Sequence, residues 1–214
     1  EIVLTGINIG RYADPDGAGL AEVVDAVAAT GVARMRLSSI EPLDLDDRLL
    51  SVLARHDNVC PHLHVPLQSG SDRVLEAMGR AYTVAEFERR IASARDAVPG
   101  LAVTTDVMVG FPGESDDDAR ATADAVERVG FSKLHVFRYS PREGTRAATM
   151  PDQIAASISS ARAETLRVIG DALRDSFTAG FLGRVEELLV ERVEGQVAEG
   201  TTGHYLKVRV ASRD

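Results

Sequence analysis

Five short stretches of this 214-residue sequence carry side chains able to do chemistry. They are Thr5-Gly6-Ile7-Asn8, Ser38-Ser39-Ile40-Glu41-Pro42, Pro66-Leu67-Gln68-Ser69-Gly70-Ser71, Thr104-Thr105-Asp106 with Gly110-Phe111-Pro112-Gly113-Glu114, and Tyr139-Ser140-Pro141-Arg142-Glu143-Gly144-Thr145-Arg146. Each combines small polar groups, glycines or charges. A ring of such groups suits a polar ligand with many contacts, such as a nucleoside with an amino-acid tail. Each stretch also has a purely structural reading. Ser69 or Ser71 can accept from free N–H groups at a helix start. Gly110 and Gly113 around Pro112 fit a tight turn as well as a close backbone approach to a ligand. Asp116-Asp117-Asp118 favours a helix N-terminus through the macrodipole. Asp106 is harder to explain structurally, because a carboxylate near the end of an apolar strand needs compensating partners. His62 and His64 alternate on one strand face, which is half a metal site with no acidic partner at suitable spacing, so no metal ligand is assigned. His135 sits on a strand and is expected to face the sheet interior or its helical cover. No catalytic side chain is assigned.

The elements that must position these stretches follow from hydrophobic pattern and turn residues. Strands are predicted over Glu1 to Ile9 (buried), Ala33 to Leu37, His62 to Leu67, Leu101 to Val109 and Lys133 to Phe137. Between them, Leu20, Val23, Val24 and Val27 recur at helical spacing before Gly31. Further helices are predicted over Asp44 to Arg55, Asp72 to Met78, Val84 to Val98 and Glu114 to Val129, with a long one from about Asp152 to Gly180. Five strands alternating with helices specify an α/β fold with a parallel sheet and crossover helices. The pattern alone does not separate a doubly wound sheet from a partial barrel. In barrels of this kind function collects where the strands end, and all five polar stretches lie there. After Gly180 the texture changes to alternating strands, Val185 to Val193 and Tyr205 to Val210, separated by Gly195, Gly200 and Gly203.

Composition narrows the class. No apolar run approaches the roughly 20 residues needed to span a bilayer. The first residues lack the basic flank of a signal peptide. A soluble, cytoplasmic protein with no membrane partner is expected. The single cysteine, Cys60, permits no internal disulfide and no cysteine-held cluster within this sequence, and reads as a small buried hydrophobe. The net charge of −9 opposes nucleic-acid binding by the chain as a whole. Of the 24 basic residues only Lys133 and Lys207 are lysines.

Taken together, the strand ends resemble one family. Pro61-His62-Leu63-His64-Val65-Pro66-Leu67-Gln68-Ser69-Gly70-Ser71-Asp72, followed by Met78-Gly79-Arg80-Ala81-Tyr82-Thr83, is similar to the signature stretch of the radical-SAM methylthiotransferases. Thr105-Asp106-Val107-Met108-Val109-Gly110-Phe111-Pro112-Gly113-Glu114 resembles the same family. So does Tyr139 to Ala148, with Glu143 where proline is usual. Leu37-Ser38-Ser39-Ile40-Glu41-Pro42, Leu134-His135-Val136-Phe137 and Gly144-Thr145-Arg146 resemble the branch acting on N6-threonylcarbamoyladenosine beside the tRNA anticodon.

The resemblance implies a partial parallel (β/α)6 radical-SAM barrel over residues 1–175, without its first strand. It implies the start of a small TRAM-like RNA-binding β domain over 176–214. It also implies S-adenosylmethionine and two [4Fe–4S] clusters as cofactors, an electron donor, and the tRNA anticodon stem-loop as partner. In such enzymes one cluster cleaves S-adenosylmethionine to a radical that activates the adenine ring. Sulfur then comes from the second cluster and the methyl group from a second S-adenosylmethionine. By position, Asn8, Ser39, Glu41, Gln68 and Ser69 would line the S-adenosylmethionine pocket. Asp106 would face the cofactor or the nucleoside, and Tyr139, Arg142 and Arg146 would meet substrate. The family's CxxxCxxC loop and N-terminal cluster domain are not in this sequence, so the chain is expected to be a part of such an enzyme, inactive alone. The tail's five basic residues (Arg184, Arg192, Lys207, Arg209, Arg213) face six acidic ones, which implies weak RNA binding by the tail itself. The competing expectations are an isopentenyladenosine or ribosomal-protein methylthiotransferase, a barrel that binds nucleotide or RNA without chemistry, and an unrelated barrel enzyme with similar strand ends.

Overall fold

The computed structural model describes residues 1–211. In chain order its strands and helices are β1 (Ile2–Leu4), α1 (Leu20–Ala28), β2 (Met35–Leu37), α2 (Asp47–Arg55), β3 (His62–His64), α3 (Asp72–Ala77), α4 (Val84–Ala97), β4 (Ala102–Val109), α5 (Asp116–Val129), β5 (Lys133–Arg138), α6 (Ala156–Ala179), β6 (Leu188–Glu194), β7 (Val197–Thr202) and β8 (Lys207–Ala211). The chain divides into two compact units. One comprises Glu1–His64 and Ser93–Ala102 with the chain from Thr178; the other comprises Val65–Ala92 and Val103–Phe177. Among the described residues no helix is long and apolar enough to cross a membrane.

In the first unit, β1 and β2 pair in parallel, Ile2 opposite Met35 and Leu4 opposite Leu37. Parallel bridges join Met35 to Val59 and Ser39 to His64. Met35, Leu37, Ile40, Leu45, Leu49 and Val24 form the buried core. The predicted first strand is shorter than expected and is not buried: Ile2 and Val3 are 40% and 51% exposed. The expected helix from Asp44 begins at Asp47, because Asp46 caps it by accepting from Leu49 N at 2.8 Å, while Pro42–Asp44 forms a separate 3-10 turn. Cys60 is buried, as its hydrophobic character implies, with its thiol directed to the Glu1 carboxylate.

The tail of this unit holds three antiparallel strands in the order β6-β7-β8, not two. The sequence conceals β7, Val-Ala-Glu-Gly-Thr-Thr, because its buried positions are small or polar. Gly200, read as a turn, lies inside the strand, where a side chain would strike Leu189 on β6. Arg34 and Arg36, both buried, reach the end of β7. Arg34 donates to the carbonyls of Thr201 and Thr202, and Arg36 donates to those of Thr202 and Gly203.

In the second unit, β4 and β5 pair in parallel from Thr104 opposite Lys133 to Val109 opposite Arg138. Val65 to Gln68 runs on the other side of β4: Val65 N donates to Thr104 O, and Gln68 bridges Val107. Phe87 packs between Tyr82 and Phe131, with ring centroids 6.3 and 6.0 Å away. Helix α5 closes over the turn Gln68–Ser71. Gly70 is required there, since a Cβ would lie 2.5 Å from Thr122 Cα.

Asp118, in the first turn of α5, does more than complement the helix dipole. It accepts from Ser71 Oγ (2.6 Å), from Ser115 N (2.8 Å) and from Arg73, so it ties the caps of α3 and α5 together. Burial opposes its charge, but these donors outweigh burial and hold the carboxyl well below the usual range. Asp118→Ala is expected to cost about 2 kcal/mol at neutral pH. A carboxyl depressed in the fold contributes stability above its unfolded pKa, near 3.9, and loses it as pH falls further. Urea unfolding of wild type and variant should therefore show a gap at pH 7 that narrows below pH 4.

Candidate functional site

The spacing from Pro66 to Thr83 has a local physical cause. Thr105, fully buried on β4, donates from Oγ1 to Val65 O and accepts from Leu67 N, both at 2.8 Å. Tyr82 reaches under the same segment and donates to the carbonyls of Pro66 (3.0 Å) and Leu67 (3.2 Å). Asp72 accepts from Val84 N at 2.7 Å and starts α4. Held on both sides, the chain turns at Gln68 with φ of 63°, a left-handed conformation that costs free energy for a residue with a Cβ. Its backbone stays in the ladder, donating to Asp106 O and accepting from Met108 N.

The turn delivers Gln68 to an open cavity of about 520 Å³. Asp106 and Met108, alternate residues of β4, line the same space, as do Tyr139 and Arg142 beyond β5. Four residues proposed from the sequence therefore meet: Gln68, Asp106, Tyr139 and Arg142. Ser69 does not line the cavity. It is fully buried, within 3.4 Å of the Thr122 hydroxyl, and accepts from Ser71 N, so burial and local hydrogen bonds fix it in the turn beneath α5. Arg146 is exposed at the start of a 3-10 turn; its neighbours Thr145 and Ala147 line the cavity in its place. Asn8, Ser39 and Glu41 belong to the first unit. Asn8 is exposed in a left-handed conformation, Ser39 is exposed at the end of β2, and Glu41 is half-buried before the turn Pro42–Asp44.

Sequence reasoning missed Arg80, Arg138 and Phe111, which also line the cavity. Arg80 stood in the Met78-Gly79-Arg80 stretch, where the left-handed Gly79 marked a turn able to redirect a side chain. Phe111 packs edge-on to Tyr139 at 5.5 Å, making an aromatic wall. The Tyr139 hydroxyl is buried and finds no hydrogen-bond partner.

The loop carrying Phe111 is held from behind. Gly110 (φ 76°) fits against Ser159 on α6, where a Cβ would come within 2.6 Å of the serine Cβ. Glu114, fully buried, accepts from Gly110 N and from Arg162 Nη1, each at 2.7 Å. Burial pushes its carboxyl up, against the lowering pull of Gly110 N–H and Arg162. Arg162 also pairs with Asp116, 2.7 Å away. Among the described residues no group of histidine, cysteine, aspartate or glutamate is arranged to hold a metal ion.

With this geometry in place, comparison with known proteins defines the class. The chain belongs to the radical SAM superfamily, whose pattern matches residues 10–126, more than half its length. It is 38% identical over 209 residues to the threonylcarbamoyladenosine tRNA methylthiotransferase MtaB of Thermotoga maritima, covering 97% of this chain and 48% of that protein. The MtaB of Bacillus subtilis is 40% identical over 217 residues, with the same coverage. The tRNA-2-methylthio-N(6)-dimethylallyladenosine synthase of Corynebacterium urealyticum is 39% identical over 205 residues, 92% of this chain and 38% of that one. The chain thus spans about half the length of the first two and less of the third. Among solved structures, the radical SAM enzyme coproporphyrinogen III oxidase (HemN) of Escherichia coli aligns with a TM-score of 0.56 at 14% identity, over 74% of this chain and 37% of its own. Archaeal Elp3 of Methanocaldococcus infernus aligns at 0.51 and 12%, over 86% and 56%. At such identities these two show the fold alone.

Glu114→Ala is expected to destabilise the protein by about 2 kcal/mol, because it leaves the buried Gly110 N–H without its acceptor and removes one of the two carboxylates paired with Arg162. Glu114→Gln, which keeps an acceptor for Gly110 N, should recover most of that loss in urea unfolding.

Proposed function

We propose that this chain is part of a tRNA methylthiotransferase that adds a methylthio group to the adenine ring of N6-threonylcarbamoyladenosine beside the anticodon. The cavity carries this reading. It joins an aromatic wall, which can stack on a base, to three arginines, Arg80, Arg138 and Arg142. A threonylcarbamoyl group ends in a carboxylate, which guanidinium groups bind through charge-assisted hydrogen bonds. An isopentenyl group is apolar and gives those arginines nothing to bind. The identities to the two MtaB proteins, 38% and 40%, are compatible with the same substrate but do not single it out. The comparable identity to a dimethylallyladenosine enzyme favours a second reading, the isopentenyl nucleoside.

S-adenosylmethionine fits the residues present. The Gln68 amide and the Asp106 carboxylate share one cavity and offer hydrogen-bonding groups for hydroxyl and ammonium groups. When bound, this cofactor supplies hydrogen abstraction and the methyl group. The chain's own part is positional: Gln68 and Asp106 orient, Phe111 and Tyr139 hold the base and limit water, and Arg80 and Arg142 anchor the carboxylate. A [4Fe–4S] cluster does not fit these residues. The one cysteine lies buried against Glu1, so the cysteines of both clusters must be other residues of the whole protein. The electron donor belongs to that whole-protein reading, as does the tRNA partner. The (β/α)6 barrel and a TRAM-like domain beginning near Ser176 belong to it as well; parallel pairing in β4–β5 and the antiparallel β6–β8 support them.

Mass spectrometry of tRNA nucleosides from cells with and without the intact gene tests the substrate. Loss of methylthio-threonylcarbamoyladenosine alone is expected; loss of the methylthio-isopentenyl nucleoside instead would establish the second reading. In the whole enzyme, Gln68→Ala should weaken S-adenosylmethionine binding in a calorimetric titration. Unchanged affinity would remove Gln68 from the cofactor's contacts.

A further inference from the structure

A second cavity, of about 550 Å³, opens on the α6 side of β5. It shares Phe137, Arg138, Tyr139 and Ser140 with the first, so the wall between the two spaces is one strand end thick. Its charged lining residues are Arg138 and Arg167, with no carboxylate. Ile154 and Ala156 place the N-terminus of the 24-residue helix α6 at its edge, where the positive end of the helix dipole adds to the two guanidinium groups. Tyr139, whose buried hydroxyl lacks a hydrogen-bond partner, is a lining residue of both cavities.

The existing hydrogen bonds leave cationic capacity. Arg138 spends one N–H on Ser160 Oγ at 2.8 Å. Arg167 pairs with Glu164 at 3.2 Å, but both side chains are more than half exposed, and such a surface pair is readily exchanged for a better anion. The Gln153 amide nitrogen is already committed to the carbonyls of Ala147 and Met150. The local balance opposes that of the whole molecule. In a chain with 33 acidic and 24 basic residues, the charged side chains lining these two cavities are four arginines (80, 138, 142 and 167) and one carboxylate, Asp106.

We propose that this second cavity is a phosphodiester subsite. It would take the RNA backbone phosphate next to the nucleotide whose base occupies the first cavity, with Arg167, Arg138 and the α6 N-terminus as its anion contacts. The inference rests on the tRNA reading above and deepens it. It explains how an acidic protein engages a polyanion: the contact is confined to one arginine-lined wall.

The test uses the full-length protein and two probes: an anticodon stem-loop RNA, and free N6-threonylcarbamoyladenosine nucleoside, which has no phosphate. Arg167→Ala and Arg167→Glu lie on an exposed helix face, and circular dichroism would verify their folding. Expected is a several-fold loss of RNA affinity, larger for the glutamate variant, with recovery in Arg167→Lys. The slope of log affinity against log salt should fall by about 0.7 to 0.9, the value of one phosphate contact. Nucleoside affinity should stay at the wild-type value. RNA affinity and salt slope unchanged in both variants, while wild type binds RNA, would overturn the subsite and leave the tRNA reading standing. A wild-type protein that binds no RNA would overturn both.

Discussion

The candidate site depends on one buried hydroxyl that supplements strand pairing. Thr105 gives its proton to Val65 O and takes one from Leu67 N, so the segment entering the cavity is fixed by a side chain as well as by the ladder. That arrangement leaves Gln68 in a left-handed conformation, which must be stabilised by its surroundings. Tyr82 secures the two preceding carbonyls, and Gly70 lets α5 close over the turn. Each group is small or doubly bonded, so none can be exchanged without displacing Gln68. The separation between Gln68 and Tyr82 in the sequence is therefore a packing requirement.

The opposite wall uses charge where this one uses hydroxyls. Glu114 is buried, yet both groups that bond its Oε2 belong to elements that must be joined: the Gly110 turn and helix α6. A buried carboxylate with an arginine adds little net stability compared with apolar packing, but it resists rearrangement because separating the pair leaves a desolvated charge. The cost of placing it is offset by a fixed loop, and that loop holds Phe111 against Tyr139. Rigid walls of this kind suit chemistry on a flat base, where misplacement of the reacting atom is costly.

Much of this organisation was legible in the sequence. Alternating strands and helices gave the α/β class, and the polar strand ends marked Gln68, Asp106, Tyr139 and Arg142, which the fold brings together. Burial was less legible. Ser69 and Gln68 are adjacent and equally polar, yet one turns beneath a helix and the other into a cavity; only the backbone angle at Gln68 separates them. Arg80 and Arg138 were missed because arginines abound in this chain and their direction depends on Gly79 and on the end of β5. Strand β7 was missed because its stability does not come from the apolar alternation by which strands are recognised.

That last point decides how the tail is held. Of the described residues in β6, β7 and β8, Ala198 is the buried apolar one; the remaining buried positions are Gly200, Thr201 and Thr202. Three strands with so little apolar burial lack the driving force to persist alone. What they offer instead is the run of carbonyls from Thr201 to Gly203, and these meet the buried guanidinium groups of Arg34 and Arg36. Glu1 balances the two charges, 2.7 Å from Arg34 and 3.4 Å from Arg36, and Tyr205 lies under Arg36 while stacking on His62. Within this unit, then, the antiparallel sheet is fastened by directional hydrogen bonds to two arginines of the parallel sheet. Such a joint specifies one register, because a shift of one residue along β7 would remove the acceptors from both guanidinium groups at once.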